Sequence, residues 1–400
     1  MSAGRLALVE SNTTGTGRDF AVAARRLGLR PVLLTKGERH YPYAAELDLD
    51  VLPVDTASAE AVQTACAALP GLRGVTSSSE YFIGVAAAVA RDLGLPGVDP
   101  DGIAVCRDKV AARERLGHLG APDFAGCRTP ADAVAAARAF GPVVVKPGRG
   151  SGSCGVRACA DPEEAGRWAA RLFADGAAEV LVEREITGPE FSVEVLAGEL
   201  VGVTAKHLGP KPHFVEHGHD FPAPVPRSTS AALGSAALAA LEACGLPDGT
   251  AHVEFRWADG RPWLIEVNPR LAGGLIPRLV RHASGRDLVA EVVAHAAGLA
   301  PPSPSAPAAP AHASIRFLVP PAGVVTSVSG VDDARRAPGV TEAVCTATPG
   351  ERLTPDHSFT DRRGHVIAVG ATAAQAIARA GSAHARIRIA TAPIPVPATR

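Results

Sequence analysis

Two acids and an amide lie where a hairpin would gather them. Glu254 sits in AHVEFRW (251–257), and Glu266 and Asn268 sit in PWLIEVN (262–268). Side chains two apart on a strand share a face, so Glu266 and Asn268 point the same way. The connection Ala258-Asp259-Gly260-Arg261 carries an Asp-Gly hairpin signal, and a tight turn there sets Glu254 opposite them. Two carboxylates and an amide oxygen on one face suit Mg²⁺ (or Mn²⁺), with phosphate oxygens filling the remaining positions. Arg270 keeps the same parity, and its planar fork suits a phosphate or acyl phosphate. The competing reading is a solvated polar face. Against it, Val253, Phe255, Ile265 and Val267 supply the apolar half of the alternation, and Pro269-Arg270-Leu271-Ala272-Gly273-Gly274 is not an ordinary hairpin exit.

A second segment, PVVVKPGRGSGSCGV (142–156), ends a strand in Lys146-Pro147 and opens a loop with Gly148, Gly150, Gly152 and Gly155. Glycines let backbone N–H groups approach phosphate oxygens, Ser151 and Ser153 add hydroxyl donors, and Lys146 adds a point charge. The GK[ST] ending of a Walker A motif is missing. A flexible surface loop is the alternative. Cys154 reads as a small loop residue rather than a nucleophile.

The elements that must position these groups follow from the pattern. Apolar runs at 5–11, 31–35, 49–53 and 74–78 alternate with helical spacing at 20–29, 58–69 and 81–94, which implies a parallel sheet covered on both faces. Gly15-Thr16-Gly17 does not complete a dinucleotide fingerprint, because position 20 is Phe. Residues 100–138 read as helical, and strands follow at 143–147, 156–160, 179–185, 191–198 and 199–207. A helix at 230–245 precedes the acidic hairpin. Residues 300–311 form a Pro/Ala/Ser linker, 312–391 alternates short strands with one helix at 372–380, and the tail TAPIPVPATR is expected to be disordered. Ser77, Ser78 and Ser79 end a strand, where they either touch a substrate or cap the helix that follows.

Four hundred residues exceed one hydrophobic core, so two or three domains are expected. The net charge of −1 provides no basic field for nucleic acid. No apolar run approaches the roughly 18–20 residues of a membrane span, and the N-terminus lacks a signal-peptide h-region, so no membrane partner and a cytoplasmic location are expected. Seven scattered cysteines without a CxxC read as reduced thiols.

Five motifs in order resemble the ATP-grasp carboxylate–amine/thiol ligases: Cys106-Arg107-Asp108-Lys109, then VVVKPGRGSGSCGV, LVEREITGPEFSVEV (181–195), GTAHVEFRW (249–257) and LIEVNPRLAGG (264–274). The resemblance implies a mixed α/β ATP-grasp fold. Its parts would be a parallel α/β domain (1–100), linker helices and a small lid (101–185), a catalytic antiparallel-sheet domain (186–300) and a β-rich terminal subdomain (312–391). It implies that Lys109 and Lys146 contact ATP phosphates, with Gly150, Ser151, Gly152 and Ser153 in the loop that closes over them. Glu183, Arg184 and Ile186 would form the adenine hinge, largely through backbone groups, and Glu190 would hold the ribose. Glu254, Glu266 and Asn268 would be metal ligands, and Arg270 would stabilise acyl-phosphate oxygens. The implied chemistry is attack of a carboxylate on the γ-phosphate of ATP, then displacement of phosphate by an amine, behind a lid that excludes water.

PHFVEHGHDFPAPV (212–225) and NPRLAGGLIPRLV (268–280) resemble L-amino acid ligases and related enzymes of small-peptide and natural-product biosynthesis. His219 matches a histidine near the acyl-phosphate site, and Gly273, Gly274, Ser78 and Glu80 are candidate substrate contacts. His217 and His219 read as a loop histidine and a substrate-contacting one rather than a transition-metal pair. Residues 312–391 resemble the C-terminal subdomain of the biotin-carboxylase-like branch, without a biotinyl-attachment signature. The competing readings are an enzyme that activates bicarbonate or formate and a non-catalytic ATP-binding regulator. The expected partners are small carboxylates and amines, with a homodimer as a further option.

Overall fold

The computed structural model describes residues 4–12, 16–37, 41–304 and 311–394. Gly15, half of the 300–311 linker (305–310) and the last six residues of the tail lie outside the described residues.

The N-terminal strands Arg5–Val9, Arg30–Thr35, Asp50–Pro53 and Leu72–Thr76 form a parallel sheet in which Arg5–Val9 lies between Arg30–Thr35 and Leu72–Thr76. Leu6, Leu8, Leu33 and Leu34 are fully buried, as expected for parallel strands covered on both faces. The loops leaving the first and fourth strands are stitched together by Ser78. Its hydroxyl lies 3.0 Å from that of Ser11 and accepts from the Asn12 N–H at 3.0 Å, and its carbonyl accepts from Asn12 Nδ2 at 2.7 Å. The expected serine cap is corrected: helix Ile83–Asp92 begins at Phe82 with no side-chain cap, because Ser78 is spent on Asn12 and the Ser77 hydroxyl on the Ser79 N–H.

The stretch read as helical over 100–138 contains helices Pro100–Arg107, Lys109–Leu116 and Pro130–Phe140, but also the strand Phe124–Cys127. Four residues are too few to show a period, and pairing with Val180–Arg184 decides their conformation. That pair joins Val143–Pro147 and Arg157–Cys159 in a small antiparallel sheet, backed by helices Pro130–Phe140 and Pro162–Ala174. Asp108 caps the helix Lys109–Leu116 by accepting from the Ala111 N–H, which fixes where Lys109 and Arg113 start their climb.

The largest sheet has eight strands in the order Arg261–Asn268, Ala251–Ala258, Glu190–Leu196, Glu199–Leu208, Glu216–Phe221, His312–Phe317, Gly364–Gly370 and Val340–Cys345, with every neighbouring pair antiparallel. The stretch around His217 and His219 is therefore strand rather than loop. The C-terminal strands continue the same ladder: His219 pairs with Ile315 and Phe221 with Ala313. One face of the sheet presents Val193, Val195, Val203, Val253, Phe255 and Val267 to helix Arg227–Ala243, and this is the main core. Among the described residues, no helix is long and apolar enough to cross a membrane.

Candidate active site

The opposite face of that sheet is polar, and strand parity is the reason. Glu190, Ser192 and Glu194 alternate with Phe191, Val193 and Val195, while His252, Glu254 and Arg256 alternate with Val253 and Phe255. Register then aligns the polar groups across strands: Glu254 lies between Ser192 and Glu266, His252 between Glu194 and Asn268, and Lys206 opposite Glu190. The Asp259-Gly260 turn has φ of 53° and 72°, the left-handed pair that the hairpin signal demands.

This face floors a cleft of about 970 Å³. Lys109 lies 2.8 Å from Glu266 and donates to the Gly150 carbonyl at 2.7 Å. Lys146 pairs with Glu183, which is also held by Arg113. Burial of Lys146 lowers its pKa; Glu183 opposes that shift and Arg113 adds to it. The N–H groups of Arg184 and Glu185 donate to the carbonyls of Asp123 and Pro142, so the strand end before Ile186 is fixed at both residues. Glu190 has one oxygen on Lys206 at 2.9 Å and the other on Arg256 at 3.0 Å.

Lys206 is the group the sequence reading passed over. It is 7% exposed and lies 2.8 Å from Glu254 and 2.9 Å from both Glu190 and Glu216. Burial would lower its pKa, but three carboxylates hold it well above the usual lysine value. Its signal was available: in ELVGVTAKH, Thr204 and Lys206 fall on the parity opposite to Val203 and Ala205. His252 was missed too. It lies between Glu194 at 3.0 Å and Glu254 at 2.9 Å, and although burial opposes the charge, these carboxylates push it up to about 9.

Arg270 grips the Glu80 carboxylate, with Nε at 2.8 Å, and reaches Asn268 Oδ1 at 3.5 Å. Glu80 arrives from the N-terminal domain, so a carboxylate occupies the fork that was expected to hold phosphate or acyl-phosphate oxygens. Ser78 is buried behind the cleft wall and bonded to Asn12, which lines the cleft together with Ser79, Glu80 and Tyr81.

The glycine loop lies over the cleft, where Gly150, Ser151, Gly152 and Ser153 line the wall. The Ser153 hydroxyl donates to the Phe214 carbonyl at 3.2 Å. Gly152 has φ +67°, and a Cβ there would stand 2.5 Å from the Phe359 ring, so the loop rests against the C-terminal turn. Burial raises the Cys154 thiol, which gives it no nucleophilic activation.

At the far end, His219 is fully buried and neither ring nitrogen has a hydrogen-bond partner. Its Nε2 lies 3.4 Å from Glu216 Oε2 without forming a hydrogen bond. Gly274 passes beside it at φ +58°, where a Cβ would lie 2.5 Å from Nε2; Gly273 faces open space. The His217 ring instead packs against Gly209. Among the described residues, no group of three or more His, Cys, Asp and Glu side chains could hold a metal ion. The chain offers two carboxylates and an amide, so a hard cation here needs further oxygens from a phosphorylated ligand.

Three family models match: an ATP-grasp N-terminal domain over residues 21–97, an ATP-grasp domain over 139–278 and an L-amino acid ligase C-terminal domain 2 over 316–392. The chain is 34% identical over 376 residues to the uncharacterized protein y4rH of Sinorhizobium fredii (strain NBRC 101917 / NGR234), covering 91% of this chain and 78% of that protein. It is 30% identical over 331 residues to carnosine synthase 1 of Gallus gallus, covering 74% of this chain but only 35% of that longer protein. The crystal structure of an L-amino acid ligase from Bacillus licheniformis superposes with a TM-score of 0.81 at 22% identity, covering 98% of this chain and 100% of that one. The chain belongs to the ATP-grasp superfamily of carboxylate–amine ligases, ADP-forming enzymes that use ATP to make carbon–nitrogen bonds.

Proposed function

We propose that this enzyme joins an amino acid carboxylate to an amine through an acyl phosphate, giving a small peptide-like amide. The observation that carries the reading is the Arg270–Glu80 grip beside Glu254, Glu266 and Asn268. It is a carboxylate-binding fork placed next to oxygen ligands for a phosphate-bound cation. The relatives' names, an L-amino acid ligase and a carnosine synthase, support an amino acid on at least one side.

Lys109, Lys146 and the 148–155 loop hold the ATP phosphates, the backbone at Arg184–Ile186 takes the adenine, and Glu190 takes the ribose. Glu254, Glu266 and Asn268 fit Mg²⁺, which supplies charge neutralisation at the phosphates. Each of the two acids carries a lysine, Lys109 on Glu266 and Lys206 on Glu254, and these ammonium groups would turn toward phosphate oxygens where the two acids held the cation. The substrate carboxylate, held by Arg270 in place of Glu80, attacks the γ-phosphorus and ADP leaves. The amine then attacks the acyl carbon, with His219, buried behind Gly274 at that end of the cleft, as the candidate acceptor of its proton. The glycine loop, resting on Phe359, keeps water from the mixed anhydride.

The test is a screen of amino acid carboxylates and amines for ADP release, with mass spectrometry of the products. Amide products that require both substrates support the reading. ADP release driven by bicarbonate or formate, with no amino acid product, overturns it.

A further inference from the structure

One wall of the cleft holds neither the nucleotide lysines nor Arg270. From Leu275 onward, its described lining residues include Arg278, Arg362 and Arg363 but no acid. The acids that balance these cations stand elsewhere. Arg278, in the first turn of helix Ile276–Ser284, donates from Nη1 to Glu342 at 2.7 Å, and its Nη2 lies 3.7 Å from Asp19, longer than a hydrogen bond. Arg363 donates to Glu351 at 2.9 Å. None of Glu342, Asp19 and Glu351 lines the cleft. Arg362 holds Glu216, whose other oxygen is taken by Lys206 at 2.9 Å.

These groups form one continuous surface. The Glu342 oxygen that holds Arg278 also lies 3.2 Å from His365 Nε2. His365 is paired in register with Phe317, and the Arg362 guanidinium stacks 4.1 Å above the Phe317 ring. From Arg362 the contacts run through Glu216 and Lys206 to Glu254, so the wall begins beside the candidate cation site.

Guanidinium groups that face a cleft while their acids stand outside it attract a carboxylate and repel a purely cationic ligand. Arg278 has the most to offer, because 38% of its side chain is exposed and its Nη2 is held only at long range. We infer that Arg278 binds the carboxylate of the amine substrate, so that the second substrate is itself an amino acid rather than a simple amine. The inference rests on the ligase reading above, in which the nucleotide and the first carboxylate have other partners. A simple amine, cationic at neutral pH, meets no acid on this wall.

The experiment compares wild type, Arg278→Gln and Arg278→Lys in the full chain, with ATP and the first carboxylate saturating. Each is given an amino acid as amine substrate, and the carboxamide of the same amino acid. The wild type should prefer the acid by about 10- to 100-fold in kcat/KM. The carboxamide's amine is the less basic, so the supply of free amine works against that preference. Arg278→Gln should bring the ratio close to one, mainly by raising KM for the acid, and Arg278→Lys should keep part of it. Hydroxylamine, which carries no carboxylate, serves as control: the KM values for ATP and the first carboxylate, read from hydroxamate formation, should hold in both variants. A wild type that uses acid and carboxamide equally would overturn the inference, and that reading needs no variant to fold. So would an Arg278→Gln enzyme with the wild-type ratio, or one whose KM rises for ATP or the first carboxylate instead. A wild type that forms no hydroxamate with any carboxylate would sink the ligase reading itself, whereas hydroxamate formation with a ratio of one sinks this inference alone.

Discussion

Glu254 and Glu266 stand directly opposite each other across the hairpin, yet each carboxylate is held by a lysine from a different element: Lys206 on Glu254 and Lys109 on Glu266, both at 2.8 Å. Two half-buried like charges at adjacent positions repel, and separate counter-cations make the pair tolerable before any ligand arrives.

Glu266→Ala should reduce carboxylate-dependent ADP release by about two orders of magnitude, because one of two carboxylate ligands to the cation is lost. Raising Mg²⁺ should recover part of the rate. The check is ADP release titrated with Mg²⁺; a variant with the wild-type Mg²⁺ dependence would remove Glu266 from the metal site.

Lys206→Met should destabilise the fold by roughly 3–5 kcal/mol, because Glu190, Glu216 and Glu254 would keep buried charge without their shared cation. In the wild type, Lys206 helps hold Glu216 and Glu254 below their ordinary value of 4.5 despite burial. Their stabilisation is present above that value and is lost as pH falls through the lowered ones. Urea unfolding at neutral and acidic pH should show a wild type that weakens on acidification and a variant with much less left to lose.

His252→Gln tests the opposite sign. Glu194 and Glu254 raise the folded imidazole from 6.5 to about 9 against the pull of burial. Its contribution is complete below pH 6.5 and disappears as pH rises through 9, amounting to at most about 3 kcal/mol. Unfolding curves at pH 6 and pH 9.5 should converge toward each other in the variant more than in the wild type. Identical pH dependence in the two proteins would refute a charged His252.

Gly274→Ala should damage the second half of the reaction more than the first. At φ +58° an alanine is strained by about 1–2 kcal/mol, and its Cβ would push His219 from its seat. The ratio of amide formed to ADP released should drop. An unchanged ratio would mean that His219 takes no part in amide formation.

The parallel sheet, the acidic hairpin and the glycine loop were legible because each rests on local signals: apolar runs between turns, an Asp-Gly turn, glycines after a Lys-Pro strand end. Lys206 and His252 were hidden for a different reason. Each looks ordinary in its own strand and gains meaning only from the register that places it against Glu190, Glu216 and Glu194. Ser78 shows the reverse for the cap reading. A serine at a strand end is a reasonable cap for the next helix, but its bonds to Ser11 and Asn12 come from a loop 66 residues away in sequence, beyond any local pattern. The strand Glu216–Phe221 escaped because histidines and a glycine mask its alternation, and its neighbours on both sides decide its conformation.

The ladder between Glu216–Phe221 and His312–Phe317 also bears on how this enzyme can be recombined with its relatives. A chimaera cut at the linker would graft a foreign C-terminal segment onto an interior strand of the catalytic sheet. The donor would have to match four backbone pairs, from Gly218–Arg316 to Phe221–Ala313, and also deliver a guanidinium to Glu216. Exchange of the whole block from Glu216 onward keeps both the seam and the Arg362–Glu216 contact within one parent. That block, rather than the tail alone, is the unit that keeps the sheet's ladder intact when segments are exchanged between relatives.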